Sequence, residues 1–133
     1  MKKMVMSATV IVLCVAGAVA WSQSAVTVTS KTIYITPLEG DPSRIVRLRD
    51  VSFPAGADSG FHRHPGDQWN TIDEGEVVFT IEGQPPRTMK AGETSIIPRG
   101  VVHRNQNLSC KPVRIIELNI IDKDKPDFDP VKE

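Results

Sequence analysis

Turn-forming residues recur every few positions along this chain, and no stretch between them carries apolar residues at a sustained helical period. From residue 26 onward, short runs rich in Val, Ile and Thr are each closed by Gly, Pro, Asp or Asn. The first, 26–35, ends at Pro37 and Glu39-Gly40-Asp41-Pro42, and the second, 45–53, ends at Pro54-Ala55-Gly56. Runs follow at 61–64, 69–72, 76–81, 87–89, 94–97, 103–107 and 113–121. Strand-formers punctuated this closely exclude alternating strand-helix units and predict an all-β sandwich or barrel.

The first twenty residues have a different composition. Lys2 and Lys3 precede an apolar run, 5–20, which closes on the small residues Ala18-Val19-Ala20. That is the pattern of a secretory signal peptide cleaved before Trp21. A permanent anchor is the alternative; the run has about the minimum length for a bilayer span, but no basic residues follow it. The expected organisation is a signal peptide over 1–20, an N-terminal strand segment over 21–43, a barrel over 44–121 and a charged tail over 122–133. The tail, with Pro126 and Pro130, is expected to be a loose solvated end.

Export constrains the rest. Removing Lys2 and Lys3 leaves 14 basic residues against 16 acidic ones and no basic cluster, which excludes nucleic acid and anionic membranes as partners. Cleavage also removes Cys14, so Cys110 has no partner for an internal disulfide and is expected as a half-buried small side chain. The expected location is periplasmic or secreted.

The chain has only three histidines, His62, His64 and His103. His62 and His64 are two apart in a predicted strand and leave the same face. A Pro65-Gly66 turn is expected to fold the chain back and bring Gln68 to the same end, while His103 opens a later strand after Pro98-Arg99-Gly100. Imidazoles from two strands with an amide oxygen nearby supply donors for a divalent ion. On spacing alone, a His-x-His pair fits a solvated strand edge equally well.

The wider spacing resembles the two motifs of the cupin superfamily. The first, G-x5-H-x-H-x3-E-x6-G, is met by Gly56, His62, His64 and Gly75, with Gln68 in the glutamate's place. The second, G-x5-P-x-G-x2-H-x3-N, is met in full by Gly92, Pro98, Gly100, His103 and Asn107. The resemblance spans residues 45–121 and implies a small exported cupin with a double-stranded β-helix (jelly-roll) barrel. It further implies one divalent metal, Zn, Cu, Ni, Fe or Mn, held by His62, His64, Gln68 and His103. Gly56, Gly75 and Gly92 stand where strands reverse, and Asn107 is expected to close a backbone gap rather than bind the ion.

Gln68 is the departure from the pattern. An amide oxygen cancels none of the metal's charge, so a site of neutral ligands attracts an anion into its open positions. Gln68 either coordinates or touches the ligands, or is purely structural. The implied activity is that of a dioxygenase or other metal-assisted enzyme acting on a small anionic, enolisable substrate. The alternative is a non-catalytic cupin that binds an anion or sugar. Glu117 and Asn119 interrupt an apolar final strand, and Glu117 is a candidate for proton transfer. The run 26–35 would leave an unpaired edge, and a homodimer is expected to cover it.

Overall fold

The computed structural model describes residues 26–132; the expected signal peptide and its cleavage point lie outside them. Ten strands form: β1 (Thr29–Leu38), β2 (Asp41–Phe53), β3 (His62–Arg63), β4 (Gly66–Glu74), β5 (Glu76–Ile81), β6 (Arg87–Lys90), β7 (Thr94–Ile97), β8 (His103–Gln106), β9 (Val113–Asp122) and β10 (Asp129–Pro130). They make two antiparallel five-stranded sheets, ordered β1-β2-β9-β4-β7 and β10-β3-β8-β5-β6. No helix occurs among the described residues. The expected all-β jelly roll is the architecture observed.

Side chains alternate across a strand, so one face of each sheet is buried. In β9 the buried positions are Val113, Ile115, Glu117, Asn119 and Ile121; in β4 they are Gly66, Gln68, Asn70 and Ile72. Register then assembles the inner face of the first sheet as rungs. Val51, Ile115 and Ile72 lie side by side, with Phe53 beside Val113 at the end. These apolar rungs meet Val77, Phe79 and Met89 of the second sheet to form the core. Burial of this kind gains about 25 cal/mol per Å² of apolar surface.

The next two rungs are polar. Arg49, Glu117, Asn70 and Ser95 form one; Arg47, Asn119 and Gln68 form the other, with Ile97 at its end. The rung beyond them is apolar again, Ile45 beside Ile121 and Gly66. A band of hydrogen-bonding groups therefore crosses the interior between two apolar layers.

Three expectations differ from the structure. Pro65 and Gly66 do not make a hairpin: the chain crosses there from the second sheet (β3) to the first (β4). Strand pairing begins at Gly66 itself, opposite Ile121, where a Cβ would lie 1.9 Å from the carbonyl oxygen of Ile120. Cys110 is exposed rather than half-buried, since it lies in the surface loop between β8 and β9. The tail is not loose: β10 pairs with β3, and the Val131 amide donates to the Phe61 carbonyl at 2.9 Å.

Candidate metal centre

His62 lies on β3, His64 just beyond it, and His103 opens β8, directly opposite His62 in the ladder. They are 4%, 5% and 0% exposed, which removes the solvated-edge reading. Ring centroids are 4.3 Å apart for His62 and His103, 4.9 Å for His62 and His64, and 5.2 Å for His64 and His103. One nitrogen from each ring lies within 4.8 Å of the others.

Hydrogen bonds decide which nitrogen that is. The Nδ1 of His62 sits 2.9 Å from the Gly60 carbonyl, that of His103 3.0 Å from the Val101 carbonyl, and that of His64 against the Asp127 carbonyl. A carbonyl only accepts, so each Nδ1 carries the proton and each Nε2 keeps its lone pair. The Nε2 atoms of His64 and His103 are buried without a partner. Burial first, and then the neighbouring charge at His62, lowers the pKa of both His64 and His103 to about 3. His62 is lowered too, again first by burial and also by Arg49. All three are neutral imidazoles near pH 7, the form that binds metal.

Gln68 is 1% exposed, on the polar rung of the facing sheet, and its Oε1 has no hydrogen-bond partner. Three neutral nitrogen donors with an unclaimed amide oxygen fit a divalent ion with open positions. The other buried side-chain atoms without a partner are Nε of Arg47 and Arg49, both amide atoms of Asn70, Ser95 Oγ and Asn119 Nδ2. All belong to the two polar rungs. Buried polar atoms are almost always paired, so their concentration in two adjacent rungs makes this band the candidate ligand site.

A cavity of about 470 Å³ opens beside the histidines, lined among others by Arg49, Ser59, His62, His64, Glu117 and Phe128. Arg49 Nη2 donates to Glu117 Oε2 at 2.5 Å. Glu117 thus faces inward with a charged partner rather than lying on the outer face. Asn107 does what its position suggested: its Nδ2 donates to the carbonyls of Phe53, Pro54 and Lys111, at 2.9, 3.0 and 2.7 Å. It is not near a ligand role.

Sequence reasoning missed Arg47, Arg49 and Phe128. The arginines were visible as charges at every second position between Ile45 and Val51, on the face that both apolar residues share. Phe128 was visible only as a lone aromatic in a charged tail.

The family model described as the cupin domain matches residues 49–120. The transcriptional regulator PuuR of Escherichia coli is 33% identical over 81 residues, 60% of this chain and 43% of that protein. Dimethylsulfoniopropionate lyase DddQ of Ruegeria pomeroyi is 40% identical over 53 residues, 40% of this chain and 26% of the lyase. The DddQ crystal structure superposes with a TM-score of 0.62 at 26% identity, covering 74% of this chain and 49% of that one. An uncharacterised double-stranded β-helix protein of Klebsiella pneumoniae gives 0.63 at 19% identity, covering 83% and 89%. The chain spans less than half the length of these curated relatives.

Proposed function

Starting from the chain's membership of the cupin family, shown by the match over residues 49–120, we propose that it is a metal-dependent enzyme acting on a small, anionic, enolisable substrate. The observation that carries this is the cluster of three neutral histidines, one nitrogen of each within 4.8 Å of the others, with a band of unpartnered buried polar atoms in the barrel interior and a cavity beside it lined by Arg49 and Glu117. His62, His64 and His103 would hold the ion through Nε2, with Gln68 completing or steadying its surroundings. When bound, a divalent ion polarises a substrate oxygen and acidifies the adjacent C–H. The chain's own residues do the rest. Neutral ligands leave the site cationic, which draws in a carboxylate or enolate. Arg49 orients that anion, and Glu117, at the cavity wall, accepts the C–H proton. This step is common to a lyase and to a dioxygenase working on an enolisable compound. The likeness to a dimethylsulfoniopropionate lyase favours elimination from a small carboxylate.

Binding without turnover is the second reading, supported by the likeness to a transcriptional regulator. Elemental analysis of purified protein should give close to one divalent ion per chain, and His62→Ala with His64→Ala should abolish it. Metal-loaded protein should then turn over a member of a panel of small carboxylates and diketones, and Glu117→Gln should lower kcat by about 10²–10⁴-fold with metal content unchanged. Tight ligand binding with no turnover would transfer the protein to the second reading. Export is part of the same proposal, and protein recovered from its native compartment should begin at Trp21.

A further inference from the structure

Two of the three histidines are set by their own turns. The acceptors for Nδ1 of His62 and His103 are carbonyls two residues earlier, Gly60 and Val101. His64 is the exception, because its acceptor is Asp127, 63 residues away in the C-terminal segment. The same segment stacks Phe128 on the His62 ring, with centroids 4.4 Å apart and planes 22° from parallel. We propose that the C-terminal segment leading into β10 is a positioning part of the histidine centre: the Asp127 carbonyl fixes His64 with its proton on Nδ1, and Phe128 fixes the plane of His62.

The attachments of this strand lead to the site and to little else. Asp127 pairs with Arg47 of the polar band, Asp129 with Arg63 between the two histidines, and Pro130 lies opposite His62 in the ladder. Phe128 also lines the cavity. The hold is weak by construction. β10 has two residues, both exposed, and the Arg63–Asp129 pair is half exposed, where ion pairs contribute little. A freed His64 would lose its only protein partner for Nδ1 and exchange its proton between the two nitrogens. The Nε2–H form, which a free imidazole side chain favours, would present an N–H where the lone pair is needed. Docking of the strand and filling of the centre are therefore linked, and each favours the other by the same factor.

The consequence for metal rests on the reading of the centre given above; the tautomer does not. Asp127→Gly, Phe128→Gly and Asp129→Gly combined remove every side-chain hold while keeping the full chain. Nitrogen-15 NMR of the metal-free protein should show His64 as the single Nδ1–H form in the wild type and as a mixture in the variant. His62 and His103 should stay single in both and serve as internal controls. Hydrogen exchange over residues 124–132 should rise to the free-chain rate in the variant, and zinc affinity should fall about 10–100-fold. Phe128→Tyr, which keeps the stacked ring, should retain wild-type behaviour. A His64 that keeps one tautomer with the strand undocked overturns the proposal, as does a strand that stays protected without these side chains. Wild-type protein that binds no zinc, with the tautomer shift intact, would instead sink the metal reading alone.

Discussion

At Gln68, the difference between an amide and a carboxylate sets the charge of the whole centre. Its Oε1 is buried and unclaimed, so Gln68→Glu would introduce a charge at almost constant volume. Beside a bound ion this should tighten zinc at least about tenfold and weaken an anion such as malonate by a similar factor, a change of about 1.4 kcal/mol each way. Paired titrations at one pH and salt check it, and equal affinities in the two proteins would place Gln68 outside the site. The histidine cluster was legible because each histidine occupies a fixed distance from glycines and prolines that shape the turns, and Gln68, read from the same spacing, lies on the buried face. Arg47, Arg49 and Phe128 were not, because their role depends on which rung they join, and register is a property of neighbouring strands. Glu117 was half legible: its break in an apolar strand was plain, its Arg49 partner 68 residues away was not.

The elements show the same division between local and long-range information. Strands β5, β6, β7 and β9 follow from their composition and the turns that bound them, and the left-handed φ of Gly56, Gly75 and Gly92 agrees with strand reversals there. The crossing at Pro65-Gly66 was read as a hairpin because a Pro-Gly pair looks alike in either setting. What distinguishes it is contact with β9, which a local pattern does not contain. Gly66→Ala should accordingly be among the most damaging small substitutions in the chain. The atoms that meet the added Cβ are backbone, the Ile120 carbonyl oxygen at 1.9 Å and the Ile121 Cα at 2.6 Å, so no rotamer change relieves them. Strand β4 or β9 must shift, at an expected cost of about 2–4 kcal/mol. The same shift moves Gln68, two residues on, and should lower zinc affinity as well. Denaturant melts and zinc titrations on Gly66→Ala, with Gln84→Ala at an exposed turn position as a control, test this. Equal stability of the two variants would contradict the close approach.

For the molecule as a whole, two properties follow from what is exposed and what is buried. Strand β1 is ten residues long, sits at the edge of its sheet and buries neither face, with Ile33, Tyr34 and Ile35 each at least half exposed. We propose that a second copy covers this edge, and sedimentation at micromolar concentration should show a dimer that Tyr34→Asp shifts toward monomer. The buried centre gives the second property, a stability that depends on pH in a window of its own. In metal-free protein, His64 and His103 take up protons only near pH 3, whereas in the unfolded chain they do so near the ordinary 6.5. Between these values the unfolded state binds more protons, so stability is complete above pH 6.5 and is lost as pH falls toward 3. The limiting slope is about 1.4 kcal/mol per pH unit for each histidine. The carboxylates held low by arginine, such as Asp50 and Asp58, start to lose their contribution only below the ordinary 3.8. The interval from pH 6.5 to about 5 therefore reports mainly the histidines. Zinc bound only by the folded form would raise stability throughout, and this gain would also shrink on acidification, because protons compete for the same nitrogens. Urea melts of chelator-treated protein at pH 7.5, 6.5, 5.5 and 4.5 should show a plateau and then a steepening fall. His64→Phe with His103→Leu should flatten that fall while leaving the plunge below pH 4 in place. A metal-free wild type equally stable at pH 7.5 and 4.5 would mean that the imidazoles titrate freely, and the burial of the centre would be wrong.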